Sequence, residues 1–158
     1  MRAALITVSS SKAAGEGRDE SGEELAALAG RLELEIVARE LIADDRALIE
    51  RRLRHWVGRC ELVLTSGGTG MSPSDLTPEA TRAVIEREAP GIAEAIRWAA
   101  RAHSRHWMLG RGTAGTAGST LIVNLPGSPA AVAQSAGAIA DALPHALRLL
   151  AGQASAHT

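Results

Sequence analysis

The sequence contains no Phe and no Tyr, and its only large aromatic side chains are Trp56, Trp98 and Trp107. Proteins that hold single-stranded nucleic acid commonly stack its bases on aromatic side chains, so this composition argues against that class of protein. The formal net charge is −1, which provides no overall attraction for nucleic acid or for an anionic membrane. We therefore expect neither nucleic acid nor membrane among the partners.

Cysteine and long uninterrupted hydrophobic runs are also scarce. Cys60 is the only cysteine, which excludes an intramolecular disulfide and a thiolate zinc cluster. Residues 112–140 carry no charge, but Pro126 and Pro129 and many small polar residues would interrupt a membrane-spanning helix. The apolar N-terminal run turns polar at Ser9, too early for a signal peptide. These observations predict a soluble, cytoplasmic protein.

The overall size and composition favour one folded domain. The chain has 158 residues, of which 46% are hydrophobic and 22% are charged, so intrinsic disorder is excluded as its main state. We expect a single domain over residues 1–158, with a disordered tail at about residues 151–158.

Strand patterns alternate with helical patterns along most of the chain. Apolar runs predict strands at Arg2–Val8, Glu35–Leu41, Leu62–Thr65 and Thr120–Leu125. Helical spacing predicts helices at Glu20–Leu32, Asp45–Arg59, from Thr77 to before Pro90-Gly91, Ile92–Ser104, Pro129–Ala142 and Pro144–Leu150, with Asp44, Thr77 and Ser128 as candidate N-caps. This order predicts an α/β fold of three layers, with a mostly parallel sheet and helices on both faces.

Loops that follow parallel strands gather at one edge of the sheet, where ligands bind. The loop Ser66-Gly67-Gly68-Thr69-Gly70 is one of these, and its glycines would let several backbone N–H groups converge on an anion. It lacks the GxxxxGK[ST] pattern of a P-loop and the third glycine of a dinucleotide fingerprint. The alternative is a tight turn without a ligand.

Carboxylates are expected at the same edge. Asp75 follows the glycine loop, and Asp44 and Asp45 close the preceding strand-to-helix loop, where one of them is expected to cap the helix. Two carboxylates beside a phosphate site imply a bridging divalent cation such as Mg²⁺, because they would otherwise repel the phosphate. The alternative for each aspartate is a simple helix cap.

Two further features have a functional and a structural interpretation. Pro126-Gly127-Ser128 precedes a helix, whose N-terminus would form a second anion site, unless this is an ordinary turn. His103 and His106 lie three residues apart, but no further ligand completes a metal site, so we do not expect one.

Four segments together resemble a known family. Leu64–Gly70, Asp75–Thr81, Pro90–Arg97 and Leu121–Pro129 closely resemble the MoaB/Mog family of molybdenum-cofactor biosynthesis proteins, which includes molybdopterin adenylyltransferase and the G domain of gephyrin. The match is colinear from Ala3 to about Leu150. The resemblance implies a molybdopterin-binding domain, commonly a homotrimer, that uses ATP and Mg²⁺ to adenylylate molybdopterin with release of pyrophosphate. It also implies a molybdenum-insertion protein as a possible partner.

The resemblance also implies roles for individual residues. The catalytic aspartates map onto Asp75 and Asp44, which would either bind Mg²⁺ or hold the amino edge of the pterin ring. Substrate or nucleotide contacts are implied at Ser9, Asp19, Ser66, Gly67, Gly68, Thr69, Gly70, Arg111, Pro126, Gly127 and Ser128.

The expected chemistry needs no general base, because a phosphate monoester is already anionic at neutral pH. Catalysis would consist of positioning and charge neutralisation. Because Asp75 and Asp44 are both present, the enzyme is the favoured interpretation. The alternative is a molybdopterin-binding protein of the same fold with little or no turnover. Neutral residues at positions where the family commonly has charge or polar contacts favour that alternative; they are Ser10, Ser74, Ala117 and Ser119. A nucleotide-binding module outside cofactor synthesis is the third interpretation.

Overall fold

Six strands form one sheet in the computed structural model, which describes residues 1–153. The strands are β1 (Arg2–Val8), β2 (Glu35–Ile42), β3 (Leu62–Ser66), β4 (Arg87–Glu88), β5 (Ala114–Ala117) and β6 (Thr120–Leu125), in the order β2-β1-β3-β6-β5-β4. The four longest strands, β1, β2, β3 and β6, run parallel, whereas β5 and β4 are antiparallel additions at one edge. The predicted mostly parallel sheet is confirmed.

Helices cover both faces of this sheet. They are α1 (Ser10–Ala13), α2 (Glu20–Arg31), α3 (Arg46–Trp56), α4 (Thr77–Arg82), α5 (Pro90–Ala100), α6 (Pro129–Ile139) and α7 (Leu143–Leu150), with a 3₁₀ turn at Trp107–Leu109. Helices α2, α5, α6 and α7 pack on one face, and α3 and α4 pack on the other. The three-layer α/β architecture predicted from the sequence is therefore confirmed.

The central strands are buried on both faces because their side chains alternate between two apolar cores. Leu5 of β1 faces the core beneath α2 and α6, whereas Ile6 faces the core beneath α3 and α4. Cys60 lies in the second core, where burial raises the pKa of its thiol. It is a core thiol rather than a reactive one.

Two predicted N-caps are wrong. Asp45, not Asp44, caps α3, with its carboxylate accepting a hydrogen bond from the Leu48 N–H at 2.7 Å. Leu76 occupies the cap position of α4 without a side-chain hydrogen bond. The Thr77 hydroxyl instead bonds to a loop carbonyl described below, whereas Ser128 caps α6 as predicted.

Other differences concern element boundaries. Pro90-Gly91 begins α5 instead of ending the preceding helix, because α4 already ends at Arg82. The strands β4 and β5 were not predicted, since they are short and rich in Gly, Ala and Thr or in charged residues. Of the predicted disordered tail, Ala151–Gln153 form the closing turn of α7, and the remainder lies outside the described residues. Over residues 1–153, no helix is long and apolar enough to cross a membrane.

Candidate functional site

An open cleft of about 410 Å³ lies where β3 and β6 end. These strands pair in parallel, with Ser66 opposite Leu125, so the loops that follow them are neighbours. The cleft is lined by Gly68, Thr69, Gly70, Asp75, His106, Leu109, Gly110, Pro126, Gly127 and Ser128. Seven of these ten residues are among the predicted site residues, so the structure brings the two predicted loops and Asp75 together.

The two loops pack backbone against backbone. The Gly67 N–H donates to the Leu125 carbonyl at 3.3 Å, and the Ser66 hydroxyl donates to the Pro126 carbonyl at 3.1 Å. Gly67 has φ +93°, and a Cβ there would lie 2.2 Å from the Val8 carbonyl oxygen. A side chain at position 67 is therefore excluded by both conformation and space.

The carbonyl groups of Gly67, Gly68, Thr69 and Gly70 all accept hydrogen bonds within the protein. Thr77 donates from its hydroxyl to the Gly67 carbonyl at 2.9 Å and from its N–H to the Gly68 carbonyl at 3.0 Å. Arg111 donates from its N–H to the Thr69 carbonyl at 2.9 Å and from Nε to the Gly70 carbonyl at 2.6 Å. The N–H groups of Gly68, Thr69 and Gly70, by contrast, donate to no acceptor within residues 1–153. These amides are available to an anionic ligand.

The second loop shows the same asymmetry. The Gly127 carbonyl accepts a hydrogen bond from the Ser21 hydroxyl at 2.6 Å, while the N–H groups of Gly127 and Ser128 have no acceptor in the described part of the chain. The eleven-residue helix α6 begins directly after them, at Pro129. Its N-terminal dipole adds partial positive charge to this side of the cleft.

Asp75 provides the one carboxylate in the lining of this cleft, as the described residues form it. Its Oδ2 accepts a hydrogen bond from the Ser72 N–H at 2.9 Å, and its Oδ1 has no donor within residues 1–153. The carboxylate packs against the glycine loop, since a Cβ at Gly70 would lie 2.8 Å from Oδ2. Asp75 does not cap α4, so the alternative interpretation as a helix cap does not apply to it.

Asp44 lies beside the glycine loop but outside the cleft lining. Its Oδ2 accepts hydrogen bonds from the Ser10 N–H at 2.8 Å and the Ser10 hydroxyl at 2.9 Å, and its own N–H donates to that hydroxyl at 2.9 Å. Its Oδ1 lies 3.3 Å from the position that a Cβ of Gly68 would occupy. Ser10 therefore orients Asp44 towards the loop and leaves Oδ1 without a donor in the described chain.

A tightly chelated metal would need more ligands than this site offers. Within residues 1–153, no three His, Cys, Asp or Glu side chains cluster closely enough to hold a metal ion. Mg²⁺ in nucleotide sites, however, is usually held by one or two carboxylates, waters and the substrate phosphates. The Oδ1 atoms of Asp44 and Asp75, which have no donor within residues 1–153, are the oxygens that such an ion would take as ligands.

Arg111 joins the glycine loop to α4. Besides Gly70, its guanidinium contacts the Asp75 carbonyl at 2.6 Å through Nη2 and the Glu79 carboxylate through Nη1. Burial raises the pKa of Glu79, but hydrogen bonds from Arg111 and the backbone, with the charges of Arg111 and Arg82, outweigh it and lower the pKa below its ordinary value. All three guanidinium nitrogens thus have protein partners, and the anion contact implied for Arg111 stays a prediction.

Ser9 and Asp19 cap the two helices that follow β1. The Ser9 hydroxyl accepts a hydrogen bond from the Lys12 N–H at 3.4 Å as the cap of α1. The Asp19 carboxylate caps α2 through the Gly22 N–H at 2.8 Å and accepts from the Thr7 hydroxyl at 2.8 Å. Neither residue lines the cleft, so their predicted substrate contacts remain untested.

Three cleft residues were not predicted, namely His106, Leu109 and Gly110. They belong to the irregular segment after α5, where no strand periodicity indicates a position at the sheet edge.

The position of the cleft also corrects the interpretation of Ala117 and Ser119. Both lie at the β5–β6 turn, at the start of β6 rather than at its carboxyl end, so their neutrality removes no charge from the cleft of this chain.

Comparison with known proteins agrees with this arrangement. Residues 4–145 match the family described as a probable molybdopterin binding domain. MoaB from Thermus thermophilus is 41% identical with a TM-score of 0.89, and 96% of each chain is covered. The Mog protein from Mycobacterium ulcerans is 38% identical with a TM-score of 0.89, covering 94% of this chain and 98% of its own.

Curated relatives extend the comparison. Molybdopterin adenylyltransferase from Haemophilus influenzae is 33% identical over 171 residues, covering 96% of this chain and 85% of that protein. The chain spans 20% of the molybdenum cofactor synthesis protein cinnamon from Drosophila melanogaster, with 42% identity over 117 residues. It spans 65% of the Helicobacter pylori molybdopterin adenylyltransferase, with 37% identity over 115 residues. The chain belongs to the molybdopterin-binding domain family that includes the MoaB and Mog proteins.

Proposed function

We propose that this protein adenylylates molybdopterin with ATP in molybdenum cofactor biosynthesis. A phosphate oxygen of molybdopterin would attack the α-phosphorus of ATP. The bond between that phosphorus and the oxygen bridging to the β-phosphate would break, and pyrophosphate would leave. The relatives from Haemophilus influenzae and Helicobacter pylori named as molybdopterin adenylyltransferases support this choice of reaction.

One observation of the structure carries the proposal. The cleft-lining loops after β3 and β6 have their carbonyls bonded inside the protein and leave five amides, those of Gly68–Gly70, Gly127 and Ser128, without acceptors in the described chain. Such amides stabilise phosphate oxygens without the reorganisation that mobile side chains require. The site is therefore built for ligands that carry several phosphates.

The roles of the chain's own residues follow from this arrangement. The backbone amides of the two loops would hold the phosphates in line for the attack. This positioning itself accelerates a reaction between two bound substrates. Asp75 and Asp44 would bind the Mg²⁺ that accompanies ATP, and that ion would neutralise charge on the triphosphate. No residue needs to remove a proton from the nucleophile, since the monoester is already ionised.

A binding protein with little turnover is the second candidate. It is favoured by the absence of Lys and Arg from the lining of the described cleft. In that case molybdopterin would bind to the same amides, but the charge that develops on pyrophosphate would be poorly compensated. The two candidates differ in product formation and not in binding.

The deciding experiment is incubation of the protein with molybdopterin, ATP and Mg²⁺, with pyrophosphate release followed over time. We expect the pyrophosphate released to equal the molybdopterin that is adenylylated. Asp75→Asn should reduce turnover by at least about a hundredfold, as for other removed electrostatic contacts, while Tm stays near that of the wild type. Asp141→Asn, at an exposed position between α6 and α7, is the matched control and should leave turnover unchanged. Binding of molybdopterin without pyrophosphate release would favour the second candidate.

A further inference from the structure

The lining of the described cleft contains a single side chain that can carry a positive charge. Among the ten lining residues, His106 is the only basic one and Asp75 is the only acidic one. We propose that the imidazole of His106 binds a phosphate group of a substrate, adding a charge-assisted hydrogen bond to those of the loop amides. This assignment rests on the proposed function and names a residue of that same site.

The backbone around His106 is held in place. Its N–H donates to the Ser104 hydroxyl at 3.1 Å, and its carbonyl accepts a hydrogen bond from the Leu109 N–H at 2.9 Å. The next residue, Trp107, packs edge-on against Trp98 of α5 at a centroid distance of 6.2 Å. The imidazole is therefore presented from an anchored turn and not from a free loop.

The ring itself is available for a ligand. Within residues 1–153, neither ring nitrogen of His106 takes part in a hydrogen bond or an ion pair, and the residue is exposed. A histidine with a structural role would normally bond to a carbonyl or a carboxylate. The carboxylate of the cleft lining, that of Asp75, bonds to a backbone amide instead.

Three arginines of the neighbouring elements are engaged within the protein. Arg97 of α5 donates to the Gly112 carbonyl at 3.0 Å, and Arg101 lies over the Trp98 ring, 4.9 Å from its centroid. Arg111 is bound to the glycine loop and to Glu79. His106 therefore supplies what the lining of the described cleft otherwise lacks, a basic side chain that can donate a hydrogen bond to phosphate.

Titration calorimetry with separate probes tests this assignment. MgATP and inorganic pyrophosphate are titrated into the wild type, His106→Leu, His106→Lys and His103→Leu. His106→Leu removes the donor at nearly constant size, and we expect Kd to rise about tenfold, in line with the loss of a charged hydrogen bond. His106→Lys should restore Kd to within a few-fold of the wild type. His103→Leu is the matched control, since His103 is also exposed but lies outside the cleft lining.

Steady-state adenylylation identifies the substrate that His106 contacts. A higher KM for ATP with unchanged kcat would assign the contact to the triphosphate, and a higher KM for molybdopterin would assign it to the pterin phosphate. An unchanged Kd and unchanged KM values in a folded His106→Leu variant would overturn the proposal, as would a wild type that binds neither probe. Because the calorimetry needs no turnover, a protein that binds MgATP through His106 but forms no product would refute the proposed function alone.

Discussion

Asp44 and Asp45 are neighbours in the chain, but their carboxylates have different tasks. Asp45 accepts the Leu48 N–H and caps α3, whereas Asp44 bonds to Ser10 and directs Oδ1 towards Gly68. The sequence indicated that one of the two caps the helix and favoured Asp44, whereas the structure shows Asp45 at the helix end. Adjacent residues of the same type thus separate into one site residue and one structural residue.

This difference predicts opposite responses to substitution. Asp44→Asn should lower turnover by at least roughly tenfold, because it removes the charge near the phosphate site, while Tm changes little. Asp45→Ala should reduce the free energy of unfolding by about 1 kcal/mol through loss of the cap, with turnover near that of the wild type. Adenylylation assays and melting curves of both variants provide the comparison. Equal turnover in both would contradict the assignment of Asp44 to the site.

Gly68 offers a second residue-scale prediction. Its φ is +63°, and a Cβ there would lie 2.4 Å from the Thr77 hydroxyl oxygen and 3.3 Å from the Asp44 Oδ1. Gly68→Ala should therefore cost about 1–3 kcal/mol in the free energy of unfolding. It should also weaken MgATP binding, because displacement of Thr77 disturbs the hydrogen bonds that turn the loop carbonyls away from the cleft.

A matched control separates conformational strain from local crowding. Gly118 has a similar φ of +55°, but a Cβ there would meet nothing within 4 Å. Gly118→Ala should show the strain alone, with a smaller loss of stability and unchanged MgATP binding. Wild-type affinity in a folded Gly68→Ala variant would show that the loop is only a turn.

At the scale of elements, the Arg111–Glu79 pair connects the glycine loop to α4. Since the pKa of Glu79 is lowered in the folded protein, its stabilising effect is fully present above the ordinary value of 4.5 and is lost as pH falls through the folded pKa. Glu79→Gln should lower the free energy of unfolding by on the order of 1 kcal/mol at about pH 7.

The difference from the wild type should disappear at acidic pH, where the wild-type carboxylate is also neutral. Melting curves between about pH 3 and pH 7 measure both the deficit at neutral pH and its disappearance at acidic pH. Glu50→Gln is the control, because Glu50 forms a pair with Arg46 within α3 and does not touch the loop. A Glu79→Gln deficit that is constant with pH would argue against the charge interaction.

The elements that the sequence predicted correctly are those with strong periodicity or burial. Strands β1, β3 and β6 are apolar on both faces, and this pattern, together with the alternation of strands and helices, predicted a parallel sheet. Strands β4 and β5 have two and four residues, too few for a period to emerge. The cap of α4 was misplaced because Thr77-Pro78 fits a helix start, although the Thr77 hydroxyl is needed by the Gly67 carbonyl instead.

The candidate site divides in the same way. The glycine loop, Asp75 and the loop at residues 126–128 were predicted together, because parallel strands carry the loops that follow them to one edge. His106 was considered only as a metal ligand, since its place in the cleft depends on how the segment after α5 folds back. That path includes the edge-on contact of Trp107 with Trp98, which local sequence patterns do not encode.

At the scale of the whole molecule, the lack of charge at residues 112–140 is explained by burial within the chain. An uncharged segment could indicate apolar surface covered by a partner, but the apolar side chains of this segment are mostly buried in β5, β6 and α6. Exposed large hydrophobic residues lie elsewhere. Three of them are close in the chain: Trp98 on α5 is 64% exposed, and Met108 and Leu109 after α5 are 63% and 47% exposed.

The homotrimer remains a prediction from the family resemblance, and the exposed residues on and after α5 give it a testable surface. Sedimentation velocity at micromolar concentration should show a species of about three times 16.4 kDa. If partner subunits cover Trp98, Trp98→Asp should shift the distribution towards the monomer, because burying a carboxylate in an apolar contact is costly. Leu149→Asp, at an exposed position on α7 (50% exposed), is the control and should leave the distribution unchanged. A single 16.4 kDa species for the wild type would refute the trimer, and a trimeric Trp98→Asp variant would place its interface on another face.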